Sequence, residues 1–207
     1  MEIKEIQAKV LLASVKQPDL FFGLKYNMNL YNGCMHRCIY CDSRSECYGI
    51  DGFDKEILVK VNAIDLLRDE LSRKRFKGVI GLGSMNDPFM PIEKEINLAG
   101  RALAVIAEFG FAVHIITKSD LILKDLETLR AISRVYASVS FTVTTADDEL
   151  AAKVEPLASG NTRASSLLAL SAASRPCSRV STRSSARLRS YRALSFSRST
   201  RSVPLRR

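Results

Sequence analysis

Along the first 156 residues, short continuous apolar runs alternate with longer stretches whose apolar positions recur every three or four residues. The first kind of run marks a strand buried on both faces, and the second marks a helix with one apolar stripe. An aromatic-rich segment, FFGLKYNMNLY, reads as the first strand and leads into a cysteine-bearing loop. Asn62 stands where a helix cap belongs, ahead of Ile64, Leu67 and Leu71 at helical spacing. Gly78-Val79-Ile80-Gly81-Leu82-Gly83 is the second strand, and a helix from about Ile96 carries Leu103, Ile106 and Phe109 to a stop at Gly110. Val113 to Thr117, a helix around Leu126, Leu129 and Ile132, and a strand from Val139 to Val143 complete the series. Repeated strand-helix units with continuous strands predict an α/β fold with a parallel sheet of about four βα units.

Such units place ligands at the C-terminal ends of their strands. The polar residues that stand out fall there. Three cysteines follow the first strand, Asn86 and Asp87 the second, Lys118 the third, and Thr142 lies late in the fourth. Each has a plain structural reading as well: Asp87-Pro88 as a turn, Lys118 as a solvated charge, Thr142 as a β-branched strand residue. Convergence of four segments on one end of the sheet favours a site.

The cysteines form Cys34-x3-Cys38-x2-Cys41, so one tight loop presents three thiols toward one region. Thiolates bind the irons of an iron–sulfur cube, and three ligands for four irons leave one iron open to hold something else. The competing reading is a structural zinc, which wants four closed ligands, usually as two Cys/His pairs. This loop lacks a second pair, and Cys47 or His36 would have to complete the set. Cys47, outside the three-ligand pattern, reads as packing or local structure, with a reactive thiol as the other view.

Cys-x3-Cys-x-Tyr-Cys resembles the cluster loop of the radical S-adenosylmethionine (radical SAM) enzymes. NLYNGC, CIYCDSRSECY, GSMNDPFMPIEKE, ITKSDLILKDLETL and TVTTADDELAAKVEP resemble, within them, the group related to spore photoproduct lyase, from about residue 20 to Pro156. The resemblance implies a partial parallel (βα) barrel of about six units in the whole family, of which this body supplies about four. It implies a 4Fe-4S cluster on Cys34, Cys38 and Cys41 and S-adenosyl-L-methionine on the open iron, split by one electron into a 5′-deoxyadenosyl radical. By the same likeness Tyr40 helps hold the adenine end, Asn86 and Asp87 lie near the methionine moiety, Lys118 meets the carboxylate, and Thr142 lines the ligand. A reductant such as flavodoxin or ferredoxin and a nucleic-acid substrate, with a role in DNA repair, are implied in turn. No residue is singled out as catalytic.

Composition changes the picture at Pro156. Residues 1–156 hold all 22 acidic residues and all 12 lysines, with 20 basic residues in total. Residues 157–207 hold 11 Arg and 14 Ser and neither Lys, Asp nor Glu, so the formal charge of +9 belongs to this stretch alone. Low complexity without apolar period predicts disorder. Arg, Ser, Ala, Leu and Pro without lysine or acid also fit a GC-rich gene read out of frame, so a frameshift near codon 157 is expected and Cys177 is read as incidental. A basic arm that associates with nucleic acid, on a non-catalytic metal-binding remnant, is the alternative. The N-terminal segment has scattered charges and no apolar core of signal length, and no run approaches a membrane span. Thiols kept for a cluster need a reducing interior, so a cytoplasmic location is expected.

Overall fold

The computed structural model describes residues 1–17, 21–49, 52–53, 55–145 and 147–158, which belong to one compact unit, Met1–Ala173. The Arg/Ser-rich stretch from Ser159 onward, Cys177 included, lies outside the described residues. Among the described residues the strands are Glu2–Ile6 (β1), Leu12–Ser14 (β2), Leu24–Met28 (β3), Tyr31–Asn32 (β4), Glu56–Lys60 (β5), Val79–Leu82 (β6), Ala112–Thr117 (β7) and Ala137–Phe141 (β8). The helices are Ala63–Ser72 (α1), Glu93–Ile96 (α2), Leu98–Phe109 (α3), Leu126–Ile132 (α4) and Asp148–Val154 (α5). None of these helices is long and apolar enough to cross a membrane.

A five-stranded sheet runs in the order β2-β3-β6-β7-β8, parallel from β3 to β8, with β2 antiparallel on the outer edge of β3. The expected α/β architecture with a parallel sheet is therefore present. The helix α1 packs on α3 and α3 on α4, covering a core of Leu67, Leu71, Leu103, Ile106, Leu129 and Ile132. The strand β8 closes the described part of the sheet, and all five of its residues are only half-buried.

Several boundaries differ from the pattern-based reading. The aromatic segment divides: β3 joins the parallel sheet, whereas β4 pairs with β5 in a separate three-stranded sheet, β1-β5-β4. The fourth parallel strand ends at Phe141, so Thr142 lies just past it, its N–H bonded to the Thr117 carbonyl at 3.0 Å. Asn62 stands at the N-cap of α1 without capping it. Its amide group instead exchanges hydrogen bonds of 2.9 and 2.8 Å with the Ala8 backbone, tying the N-terminal segment down.

The helix expected from Ile96 is broken at Asn97, which takes a left-handed φ of 49° and separates α2 from α3. The reason is Glu93. Its buried carboxylate accepts the Ala99 N–H at 3.0 Å, replacing the cap that the first turn of α3 lacks and placing negative charge at a helix N-terminus. At the other end Gly110 (φ 64°) closes α3, with Gly110 N–H on Ala107 and Phe111 N–H on Ile106.

Burial raises the Glu93 carboxyl above its ordinary value, although the Tyr31 hydroxyl, the Ala99 N–H and Lys124 pull the other way. A carboxyl raised on folding stabilises most below its unfolded value of about 4.3, and that contribution is lost as pH rises through the folded value. Glu93→Gln should remove this slope. Urea melts from acid to neutral pH are expected to show the variant gaining on the wild type as pH increases.

Candidate active site

The site begins with a tight passage. Gly33 follows β4 at φ 85°, and a Cβ there would meet the Glu56 carbonyl at 2.4 Å, so only glycine lets the chain turn under β5 into Cys34. Cys34 and Cys38 are buried, Cys41 is half-buried and Cys47 is exposed, all as free thiols. Burial pushes the Cys34 thiol up to about 11, against backbone N–H groups of Asp87 and His36 that face its sulfur. Burial raises Cys38 as well, opposed by the Lys118 cation and the Tyr40 hydroxyl.

An open cleft of about 500 Å³ lies at the C-terminal ends of the parallel strands. Cys34, Cys38 and Cys41 line it from the loop after β4, Asn86 and Asp87 from the loop after β6, Lys118 from the end of β7, and Thr142 from just past β8. Seven of the residues singled out by sequence thus border one cavity. Tyr40 is not among the residues that line it; it stands between Cys38 and Cys41, 49% exposed, with Lys118 Nζ 5.6 Å from its ring centre. Among the described residues no group of three or more His, Cys, Asp and Glu gathers where a single ion could be held.

Two of the polar residues are engaged by the protein itself. Asn86 donates its amide to the Tyr31 carbonyl at 2.6 Å, joining the loop after β6 to the strand before the cysteines. Asp87 accepts from the Phe89 N–H at 2.9 Å, the Thr117 hydroxyl at 2.7 Å and the Lys118 N–H at 2.6 Å. His36 Nε2 lies 3.0 Å from Asp87 Oδ2, at ion-pair distance though off the direction of a regular hydrogen bond. Burial alone would raise the Asp87 carboxyl, but His36 and these donors outweigh it and hold it below its ordinary value.

Sequence reasoning named neither His36 as a partner of Asp87 nor Glu155 at all. Glu155 is buried and accepts from both Tyr40 and Thr144, with Lys118 Nζ at 3.4 Å. The one available signal was a carboxylate just after a short helix with an Asp147 cap, and it says nothing of these partners.

The radical SAM superfamily profile matches residues 28–181, most of the chain. The chain belongs to the radical SAM superfamily. An uncharacterised protein of Methanocaldococcus jannaschii is 32% identical to it over 163 residues, 78% of this chain and 59% of that protein. An uncharacterised protein of Mycobacterium tuberculosis is 32% identical over 138 residues, 63% of this chain and 41% of that protein. This radical SAM chain therefore spans about half the length of the relatives it matches. Among solved structures, spore photoproduct lyase complexed with dinucleoside spore photoproduct superposes with a TM-score of 0.61 at 17% identity, covering 83% of this chain and 48% of the lyase. A mutant of that lyase with bound AdoMet and dinucleoside spore photoproduct gives 0.59 at 15% identity, covering 83% and 47%. At these identities the likeness establishes the fold, and the family carries the expectation of a 4Fe-4S cluster and S-adenosylmethionine.

Proposed function

We propose that this radical SAM chain holds a 4Fe-4S cluster on Cys34, Cys38 and Cys41 and cleaves S-adenosyl-L-methionine reductively in the cleft beside it. The observation that carries the reading is convergence: three thiols and the ends of β6, β7 and β8 border one cavity. The donor set fits the group. Soft thiolates suit iron–sulfur ligation, N–H groups directed at a ligating sulfur tune such clusters, and three ligands leave a corner for a chelating substrate. The high thiol values are no obstacle, because ligation itself removes the protons.

When bound, the cluster supplies the electron that splits the sulfonium bond to a 5′-deoxyadenosyl radical. This chain's own residues position and shield. Lys118, the cation lining the cleft from β7, suits the ligand's carboxylate. Tyr40, between two of the cysteines and beside Lys118, would meet the adenine, and Thr142 and Asn86 supply polar wall. The substrate class follows the lyase neighbours, whose ligand is a dinucleoside. A nucleic-acid substrate and a DNA-repair role are proposed on that footing, with a flavodoxin or ferredoxin as electron donor and a cytoplasmic setting.

Anaerobic reconstitution with iron and sulfide tests the reading. The expected product is a brown protein with broad absorption at the blue end of the visible range. Under reductant it should form 5′-deoxyadenosine, and Cys38→Ala should abolish both the colour and the product. A colourless protein carrying one zinc would overturn it and favour the non-catalytic remnant.

A further inference from the structure

Lys118 and the cysteine loop both have a part in the proposed function, yet the carboxylate that joins them has none. Glu155 comes directly after α5 and is 1% exposed. Tyr40 and Thr144 donate their hydroxyls to its Oε1, and Lys118 Nζ lies 3.4 Å from the same atom. One position earlier, the Val154 carbonyl accepts the Ile39 N–H at 2.9 Å. Two consecutive residues after β8 therefore grip two consecutive residues between Cys38 and Cys41, 115 positions away in the chain.

Desolvating a carboxylate is costly unless donors and a counter-charge meet it. Here two hydroxyls and an ammonium do so on one oxygen, and each comes from a different segment that borders or rims the cleft. The Tyr40 hydroxyl held this way also faces the Cys38 sulfur, and Lys118 is held both beside that thiol and against the Tyr40 ring.

We infer that Glu155 is a positioning residue: its buried carboxylate fixes Tyr40, and with it the Cys38–Cys41 turn, and aims Lys118 at the cleft. The loop half of this stands on contacts alone, whereas the Lys118 half rests on the proposed function, in which that cation receives an anionic ligand.

Glu155→Ala and Glu155→Gln in the full chain test both halves. In cluster-free protein, iodoacetamide labelling read by mass spectrometry compares buried Cys34, Cys38 beside the network, and exposed Cys47 as internal reference. Glu155→Ala should speed Cys38 labelling about fivefold, the signature of local opening, with Cys34 still protected and Cys47 unchanged. Glu155→Gln keeps an acceptor for Tyr40 and Thr144 and should restore Cys38 protection. In reconstituted protein both variants should raise KM for S-adenosylmethionine about tenfold while kcat changes less than about twofold, because only ligand placement is lost.

Unchanged Cys38 protection in Glu155→Ala overturns the inference, as does joint opening of Cys34 and Cys38 with a fallen melting temperature. An unaltered KM removes the Lys118 half. If the wild type takes up no iron and cleaves nothing while the labelling contrast holds, the proposed function has failed and the anchoring of the loop stands.

Discussion

Asp87→Ala is expected to lower the unfolding free energy by roughly 3–5 kcal/mol, the range for removing one partner from a buried polar network. Asp87 is buried, and its two oxygens meet the Phe89 N–H, the Thr117 hydroxyl, the Lys118 N–H and His36 Nε2. Alanine leaves all four without that acceptor. At about 2–4 °C per kcal/mol for a domain of this size, the melting temperature should fall by on the order of 10 °C. Asp87→Asn keeps one acceptor oxygen and should lose less. The same network joins the cysteine loop to the ends of β6 and β7, so iron uptake on reconstitution should fall in Asp87→Ala in step with His36 coming free. Thermal melts followed by circular dichroism, with iron counted per chain, check both. A variant melting within about 1 °C of the wild type would show that solvent replaces the carboxylate at little cost.

Gly83→Ala should be the most damaging glycine-to-alanine change among the described residues. Gly83 leaves β6 at φ 96°, and a Cβ there would lie 2.1 Å from the Ile116 carbonyl oxygen. The left-handed strain alone is worth about 1–3 kcal/mol, and the overlap adds a forced separation of β6 from β7 at the cleft. A total above about 4 kcal/mol places the variant among the rare severe substitutions, and mostly insoluble expression is expected. Gly23→Ala is the control. Gly23 also has a positive φ, 61°, but a Cβ there meets nothing within 4 Å, so it isolates the backbone strain from the clash. Urea melts of the two variants should differ by several-fold in destabilisation; equal losses would mean that β6 and β7 part easily.

Much of this fold could be read along the chain, because a strand buried on both faces must be apolar throughout and a one-sided helix must be apolar in a stripe. β6, β7, α1, α3 and α4 announce themselves in this way. The strands β1 and β5 did not, since β1 is largely exposed and its pairing with β5 joins residues more than fifty positions apart. Asn62 looked like a cap and serves instead as a clasp on Ala8, because a nearby backbone outcompetes the helix for its amide.

The candidate site divides along the same line. Spacing alone marks Cys34, Cys38 and Cys41 as a candidate ligand set, since chelation by one loop is a local property of the sequence. Parallel βα order alone sends Asn86, Asp87, Lys118 and Thr142 to one end of the sheet. What only the tertiary structure decided is who holds whom: His36 against Asp87, and Glu155 against Tyr40, Thr144 and Lys118. A buried polar group takes whichever donor the packing brings within about 3 Å, and packing between segments that are not neighbours in sequence leaves no periodic trace in either one.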